Sequence, residues 1–398
     1  MADRVTRVTR QSWGSRIGGA FKGIIVGVVM VALAFWILFW NEGRAVRRYK
    51  ALKEGAGVVV TVDASRVDPA NEGKLVHLTG MAEPSKMLTD PDFGIVTEAI
   101  HLERKVEMYQ WQQSSSSETK KKLGGGTETV TTYSYSTGWS DRLIDSNEFE
   151  EPSGHRNPTS MPYSSREISA PQVTVGAFHL SPSLVQRISG WQDLPVQSTG
   201  LLPAGLQGKV RLSGGSLFLG DDPASPRVGD VRISFRQVLP TTVSLASRQS
   251  GDTFTPYQAK TGPVELLRSS AATAQELFDS AQQVNKTLTW LLRLAGFVLM
   301  GVGFRTVFRI FSVLADVVPL LGNLAEKGLG FFSFALAAML SLITIAVAWL
   351  FYRPLLAIGI LILAGGAAYA VLRSLRKAKA RTAAVPPPPP PPPVLLPE

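Results

Sequence analysis

Residues 23–40 read GIIVGVVMVALAFWILFW, eighteen positions whose only hydrogen-bonding side chains are the indoles of Trp36 and Trp40. As a helix this run is about 27 Å long, close to the roughly 30 Å hydrocarbon thickness of a bilayer. A surface helix or strand would need a polar face, and none is present. The two tryptophans sit toward one end, where indole prefers the membrane interface. The following residues, NEGRAVRRYK, offer no small-x-small cleavage site, so the run reads as an uncleaved anchor rather than a removed signal peptide. Residues 1–22 then form a basic N-terminal tail, residues 23–40 a first transmembrane helix, and everything else must be arranged around that anchor.

A second apolar block begins at residue 288. LTWLLRLAGFVLMGVGF (residues 288–304) predicts a second span with Arg293 one turn inside it. Arg305, Arg309, Asp316 and Pro319 then interrupt the pattern. A charge at the centre of a span costs about 3 kcal/mol on insertion scales, so residues 305–328 read as an amphipathic connector at the membrane surface. Residues 329–351 and 355–372 predict a third and a fourth span, joined by the turn YRP, and residues 373–398 form a basic tail that includes eight prolines starting at Pro386. Four spans place both termini on one side. Thirteen basic residues flank the membrane on that side and eight on the other; the bias predicts cytosolic termini and a loop facing the periplasm, the exterior or an endomembrane lumen.

Residues 41–287 are the expected soluble ectodomain. Residues 41–288 hold 26 Lys+Arg and 27 Asp+Glu, a balance of −1, whereas the whole chain carries +10. The basic excess therefore belongs to the membrane-flanking segments, and a nucleic-acid-binding groove is not expected. There is no cysteine, which excludes disulfides and thiol chemistry. VRISFRQV (residues 231–238) has strict period two, with Val231, Ile233 and Phe235 on one face. VEMYQW (residues 106–111) reads as a strand with Tyr109 and Trp111 available for packing or membrane contact. NEGKLVHLTG (residues 71–80) and LQGKVRLSGG (residues 206–215) echo each other, each followed by a turn and a strand. Two strand–turn–strand units are expected, with a Ser-, Lys- and Gly-rich exposed hairpin tip or insertion at residues 114–130. A helix capped near Ser270 should lead into the second span.

The chemistry-bearing residues are sparse. His77, His101, His155 and His179 show no metal-ligand spacing. The loop GHRNP makes His155, Arg156 and Asn157 the candidate functional loop, with Asp221 and Asp222 as acidic residues to place beside it. No catalytic, metal-binding or cofactor-binding residue is assigned, and the chain is not expected to be an enzyme. Gly19, Gly23 and Gly27 recur every four residues, a small-residue face suited to helix packing within the chain or between copies. The polyproline rod at Pro386 has the form of a ligand for a proline-binding domain.

NEGRA after the first span, NEGKLVHLTG, VEMYQW, GHRNP, VGDVRISF and WLFYRPL before the last span together resemble the transmembrane protein 43 (LUMA) family over residues 20–375. The resemblance implies four spans, a large lumenal loop between the first two, and self-association. In animal members it implies residence in the endoplasmic reticulum and inner nuclear membrane with emerin and lamins as partners. A looser likeness to the membrane-adjacent repeats of GIDE-type ubiquitin ligases carries no ligase activity, since no RING is present. The Arg-, Ala- and Gly-rich composition points to a bacterial source, hence an inner-membrane protein with a periplasmic ectodomain. The expectation is thus an α+β protein with four transmembrane helices and a β-rich ectodomain, acting as a self-associating scaffold for membrane or envelope proteins. The alternative is a lipid-binding or lipid-modifying protein at the membrane surface.

Overall fold

The computed structural model describes residues 4–199, 202–317 and 319–355, together with residues 358, 359, 362 and 369. Its principal strands are β1 (Arg4–Gln11), β2 (Leu75–Pro84), β3 (His101–Lys121), β4 (Thr127–Ser140), β5 (Val210–Ser213), β6 (Ser216–Leu219), β7 (Val231–Val238) and β8 (Thr241–Ser250). The long helices are α1 (Trp13–Val58), α2 (Ala274–Ala315) and α3 (Pro319–Tyr352). All three contain segments long and apolar enough to cross a bilayer. The class is α+β with a membrane helix bundle. The fourth expected span, residues 355–372, and the tail bearing Pro386 lie wholly or mostly outside the described residues.

Each helix is longer than its apolar core. The first starts at Trp13, where the Ser12 side chain accepts a hydrogen bond from the Ser15 amide. It runs through NEGRAVRRYKALKEG, a stretch of good helix formers, to Val58. The second begins in a capping box, with Thr273 rather than Ser270 as the cap and Glu276 closing it. It continues past residue 304 to Ala315, so most of the expected connector is helix and the turn is confined to the residues before Pro319. Pro319 opens α3, the position where a missing N–H costs nothing.

The bundle is held by close backbone approach. A Cβ placed on Gly27 would lie 2.6 Å from the Gly303 carbonyl oxygen and 2.7 Å from Val307 Cγ2. Gly23 faces Thr306 at an ordinary 3.5 Å, while Gly19 meets nothing within 4 Å. The glycine face therefore serves α1–α2 packing at Gly27 and Gly23, and leaves Gly19 open. Ala34, Leu38, Met300 and Ala337 form the buried centre of the three helices. Outward, Ile25 is 70% and Phe331 81% exposed. A continuous apolar belt of this kind is stable only in lipid.

The large β-rich region, the expected ectodomain, is built on an eight-stranded and a seven-stranded sheet that share one core. In the first sheet β7 pairs with β3 on one side and β6 on the other; in the second, β2 pairs with β8. Val231, Ile233 and Phe235 are buried as their period required, beside Val106 and Met108 of β3. The echoed segments do not form equivalent units. NEGKLVHLTG leads into β2, a member of the second sheet, whereas LQGKVRLSGG leads into β5, the end strand of the first. Ala51 and Leu52 of α1 and Leu277 and Phe278 of α2 pack with Leu75 and Ala246 of the second sheet, fusing the helices to the ectodomain.

Two differences from the sequence expectation concern the termini of these elements. The exposed hairpin expected at residues 114–130 is present, but its arms are regular strand: β3 runs 21 residues, about 70 Å, and pairs with β4 up to the turn at residues 122–126. The Ser run has weak strand preference of its own, but the ladder to the Thr-, Val- and Tyr-rich β4 enforces it. The N-terminal tail is also not free. Residues 4–11 form β1 and pair antiparallel with β4, Val8 opposite Val130 and Thr9 opposite Thr129. This hairpin returns alongside the apolar belt to the far end of the bundle, where the Gly124 N–H donates to the Val317 carbonyl at 3.2 Å. A polar sheet edge cannot face lipid, so beside a bilayer it must lie against protein or water.

Tail and loop on opposite sides and the β1–β4 pairing hold together only if the hairpin passes the level of the bilayer. Because the chain has no cysteine, paired substitutions test this cleanly. Val8→Cys with Val130→Cys, and Thr9→Cys with Thr129→Cys, should each be tried, since adjacent antiparallel pairs differ in Cα separation by about 1 Å. At least one pair is expected to form an intramolecular disulfide in native membranes on mild oxidation. Absence of both crosslinks would place the tail and the hairpin in separate compartments.

Candidate functional site

Two charge clusters bracket the apolar belt. Arg16 and Glu42, one in each cluster, are about 39 Å apart along α1 at about 1.5 Å per residue, which fits one bilayer and its interfaces.

The ectodomain-side cluster is built from NEGRA on α1. Glu42 is fully buried; Arg293 Nε donates to its Oε1 at 2.7 Å and Arg293 Nη2 to its Oε2 at 3.0 Å. Trp349 Nε1, from the WLFYRPL segment on α3, donates to the same Oε2 at 2.8 Å. The guanidinium also lies 4.7 Å from the Trp290 ring centroid. Beside this triad, Arg44 donates to the side chains of Asn41, Asn285 and Thr289 at 3.0–3.1 Å. Asn41 Nδ2 donates to the Thr289 carbonyl and Asn285 Nδ2 to the Ala45 carbonyl, both at 3.0 Å. Both carboxylate oxygens of Glu42 are thus engaged by donors from α2 and α3, an arrangement that clamps three helices rather than presenting a base to a substrate. Sequence reading noted Arg293 but not its partner. The available signal was depth: in antiparallel spans, a charge just beyond the first and one just inside the second meet at one level.

The far cluster joins α1, α2, α3 and the hairpin tip. Arg16 pairs with the buried Asp316, the cap of α2, and donates to the Gly125 carbonyl of the turn. Lys121 Nζ lies 2.8 Å from Asp316 Oδ1 and 3.0 Å from Glu326 Oε2, and Arg305 reaches Glu326 Oε1 at 3.2 Å. Trp13 Nε1 donates to the Val313 carbonyl at 2.9 Å.

The GHRNP loop is tied to VEMYQW. His155 is buried, stacked on Tyr135 with centroids 3.9 Å apart and edge-on to Trp111 at 4.8 Å. Its Nδ1 is 2.9 Å from the Glu151 carbonyl. Asn157 Oδ1 accepts from the Trp111 N–H at 2.7 Å, and its Nδ2 donates to the Trp111 carbonyl at 3.0 Å. The amide thus replaces a neighbouring strand at this point of β3. Arg156 is exposed. Asp221 pairs with Arg227 at 3.2 Å and Asp222 accepts the Ala224 amide in a turn. Strand β3 contributes packing: Tyr109 meets Trp139 edge-on at 5.3 Å and its hydroxyl lies 2.9 Å from Thr137 Oγ1. Among the described residues no group of three or more His, Cys, Asp or Glu side chains could hold a metal ion.

His77, in the HLTG stretch of β2, couples the ectodomain to α2. Its buried ring places Nε2 3.0 Å from the carbonyl of Ala272, the residue before the cap Thr273, and Nδ1 3.4 Å from Thr61 Oγ1. Burial holds its pKa below the ordinary 6.5, against the opposing effect of the Ala272 carbonyl.

Two tests follow from these geometries. Arg293→Leu strands a buried carboxylate with one indole donor and should cost roughly 3–5 kcal/mol. Glu42→Leu combined with Arg293→Leu should recover much of that loss in detergent-solubilised thermal unfolding. For His77, the unfolded chain binds the proton more readily than the folded one, so stability should fall as pH drops through about 6.5. Thermal unfolding of His77→Gln between pH 7.5 and 5.5, a range chosen about that value, should lose this contribution to the slope.

The chain matches the family model described as Transmembrane protein 43 over residues 108–354. It is 36% identical to Transmembrane protein 43 of Rattus norvegicus over 364 residues, covering 88% of this chain and 90% of the relative. The human protein of that name is 35% identical, covering 86% and 88%, and the Drosophila melanogaster homolog 30%, covering 87% and 92%. No solved structure matches. With helices long enough to span a bilayer, a large β-rich region and this likeness over most of its length, the chain belongs to the transmembrane protein 43 family.

Proposed function

We propose that the protein is a multi-pass membrane scaffold that self-associates and organises other membrane or envelope proteins around its ectodomain. One observation carries this reading: α1 and α2 pass unbroken from the apolar belt into the ectodomain, where Leu52, Leu277 and Phe278 are buried against the second sheet. The ectodomain is therefore held rigidly on the helices that carry it, which is what a platform for partners requires. The charge clusters reinforce the attachment. Gly19, left open on α1, supplies a small-residue surface for a second copy. The proline run at Pro386, outside the described residues, is the segment suited by its sequence to a proline-binding domain. The compartment follows the source: inner membrane with a periplasmic ectodomain in a bacterium, endoplasmic reticulum and inner nuclear membrane in a eukaryote.

The second reading, a lipid-binding protein, is favoured by the cleft of about 1060 Å³ beside the far cluster, whose lining includes Arg309 and the apolar Val302, Phe308 and Leu329.

Purification in mild detergent with mass determination tests the scaffold. A discrete multiple of the 43.0 kDa chain is expected, reduced toward monomer by Gly19→Leu but with the ectodomain still folded. A strictly monomeric protein across detergents would remove self-association from the proposal.

A further inference from the structure

A smaller cleft, of about 480 Å³, opens at the ectodomain end of the belt, between α1, α2, residues 266–268 and the turn bearing Arg187. Among the described residues its lining holds Arg44, Arg48, Arg187 and Arg268 and no carboxylate. Three of these guanidiniums converge. Arg44 Nη1 donates to Asn285 Oδ1 at 3.0 Å, and Asn285 is itself part of the lining. Arg48, one turn further along α1, feels the repulsion of both Arg187 and Arg44. Of the three, only Arg187 has an ion pair, with Glu265 at 3.3 Å. Arg44 donates to the neutral side chains of Asn41, Asn285 and Thr289, while both oxygens of the nearby Glu42 are engaged by Arg293 and Trp349. Arg48 spends one donor on the Pro263 carbonyl at 2.8 Å and keeps the rest of its fork. The α2 wall is apolar: Leu277, Ala281, Val284 and Leu288 follow at helical spacing. Val284, Leu288 and Leu291 continue that side of α2 toward the belt and are 67%, 40% and 58% exposed. Depth fits a lipid headgroup. Arg44 and Arg48 lie about 6 and 12 Å beyond Trp40 along α1, and helical side chains lean toward the N-terminus, here toward the bilayer.

We infer that this cleft holds one anionic phospholipid, its phosphate on Arg48 and Arg44 and an acyl chain along Val284, Leu288 and Leu291. The inference gives the lipid-binding reading a site and a lipid class and rests on that reading; it is independent of the scaffold. Charge selects the occupant. A guanidinium fork matches the paired oxygens of a phosphodiester. A zwitterionic lipid would bring its own cation among arginines that already repel one another, whereas an anionic lipid brings none. A free phosphate would leave the apolar side of α2 exposed. An apolar helix in the same place would cover Arg48 without supplying a counter-charge.

The test uses the full chain in nanodiscs of phosphatidylcholine with or without phosphatidylglycerol of the same acyl chains, read by native mass spectrometry after release. One phosphatidylglycerol per chain should be retained in preference to phosphatidylcholine. Arg48→Gln should weaken that retention roughly fivefold, Arg48→Lys should keep most of it, and Arg47→Gln should leave it unchanged. Arg47 is exposed at the same height on α1 and lies outside the lining of the cleft. Equal loss in Arg47→Gln and Arg48→Gln would reduce the effect to general surface charge and overturn the site. Undiminished retention in Arg48→Gln would place the lipid elsewhere. Equal retention of the two lipids would defeat the anionic assignment while leaving lipid binding intact, whereas retention of no lipid of any class would remove the lipid-binding reading itself. Displacement by glycerol phosphate at equal concentration would identify a phosphate site and defeat the lipid assignment. If Arg48→Gln does not fold, a rise in the wild-type melting temperature with phosphatidylglycerol and not phosphatidylcholine is the required result, and its absence counts against the site.

Discussion

The architecture depends on a single buried carboxylate being neutralised. Glu42 sits where α1 leaves the apolar belt, fully out of contact with solvent. Taking such a charge out of water costs several kcal/mol unless donors fill its lone pairs. Arg293 and Trp349 do so from two other helices, and they bring residues from far apart in the chain to one point. The pair adds little net stability over an apolar substitute of the same shape, but it fixes the depth and rotation of the helices relative to one another. The close contact of Gly27 with Gly303 works with it: one sets the separation of α1 and α2, the other their register.

From that register the rest follows in steps. The helices continue upward into Ala51, Leu52, Leu277 and Phe278, which meet Leu75 and Ala246 on the second sheet. His77 bonds to the backbone just ahead of the Thr273 cap, so the sheet also positions the start of α2. The first sheet adds β7 and β3, and β3 carries the long hairpin away from the core. Asn157 marks the point where β3 loses its neighbour on that side, and its amide satisfies the Trp111 backbone there.

Much of this was legible in the residues, and the exceptions have physical causes. Apolar runs located the bundle because lipid admits few alternatives to helix. Period two located β7, whose buried Val231, Ile233 and Phe235 match the alternation. Hydropathy records only the membrane portion of a helix, so it did not show that a charged stretch such as residues 41–58 continues as helix when packing rewards it. Residues 114–130 were legible as an exposed hairpin tip or insertion, but not the length of its strands: the propensity of residues 114–121 is weak, and their strand is imposed by pairing with residues 127–134. The pairing of β1 with β4 left no local signal for the same reason. GHRNP was singled out as a candidate functional loop; its histidine is packed between Tyr135 and Trp111. The Glu42–Arg293 contact required knowing which helices are antiparallel neighbours.

The unbroken passage of α1 from lipid into the ectodomain has a mechanical side. Its last eighteen residues form a shaft of about 27 Å above the bilayer. Thicker or thinner membranes are accommodated partly by helix tilt. Because no hinge interrupts the shaft, a change of ten degrees in that tilt would swing its upper end by about 5 Å. Bilayer thickness would thereby be converted into a lateral displacement of the two sheets, large enough to bring a neighbouring molecule into contact or out of it.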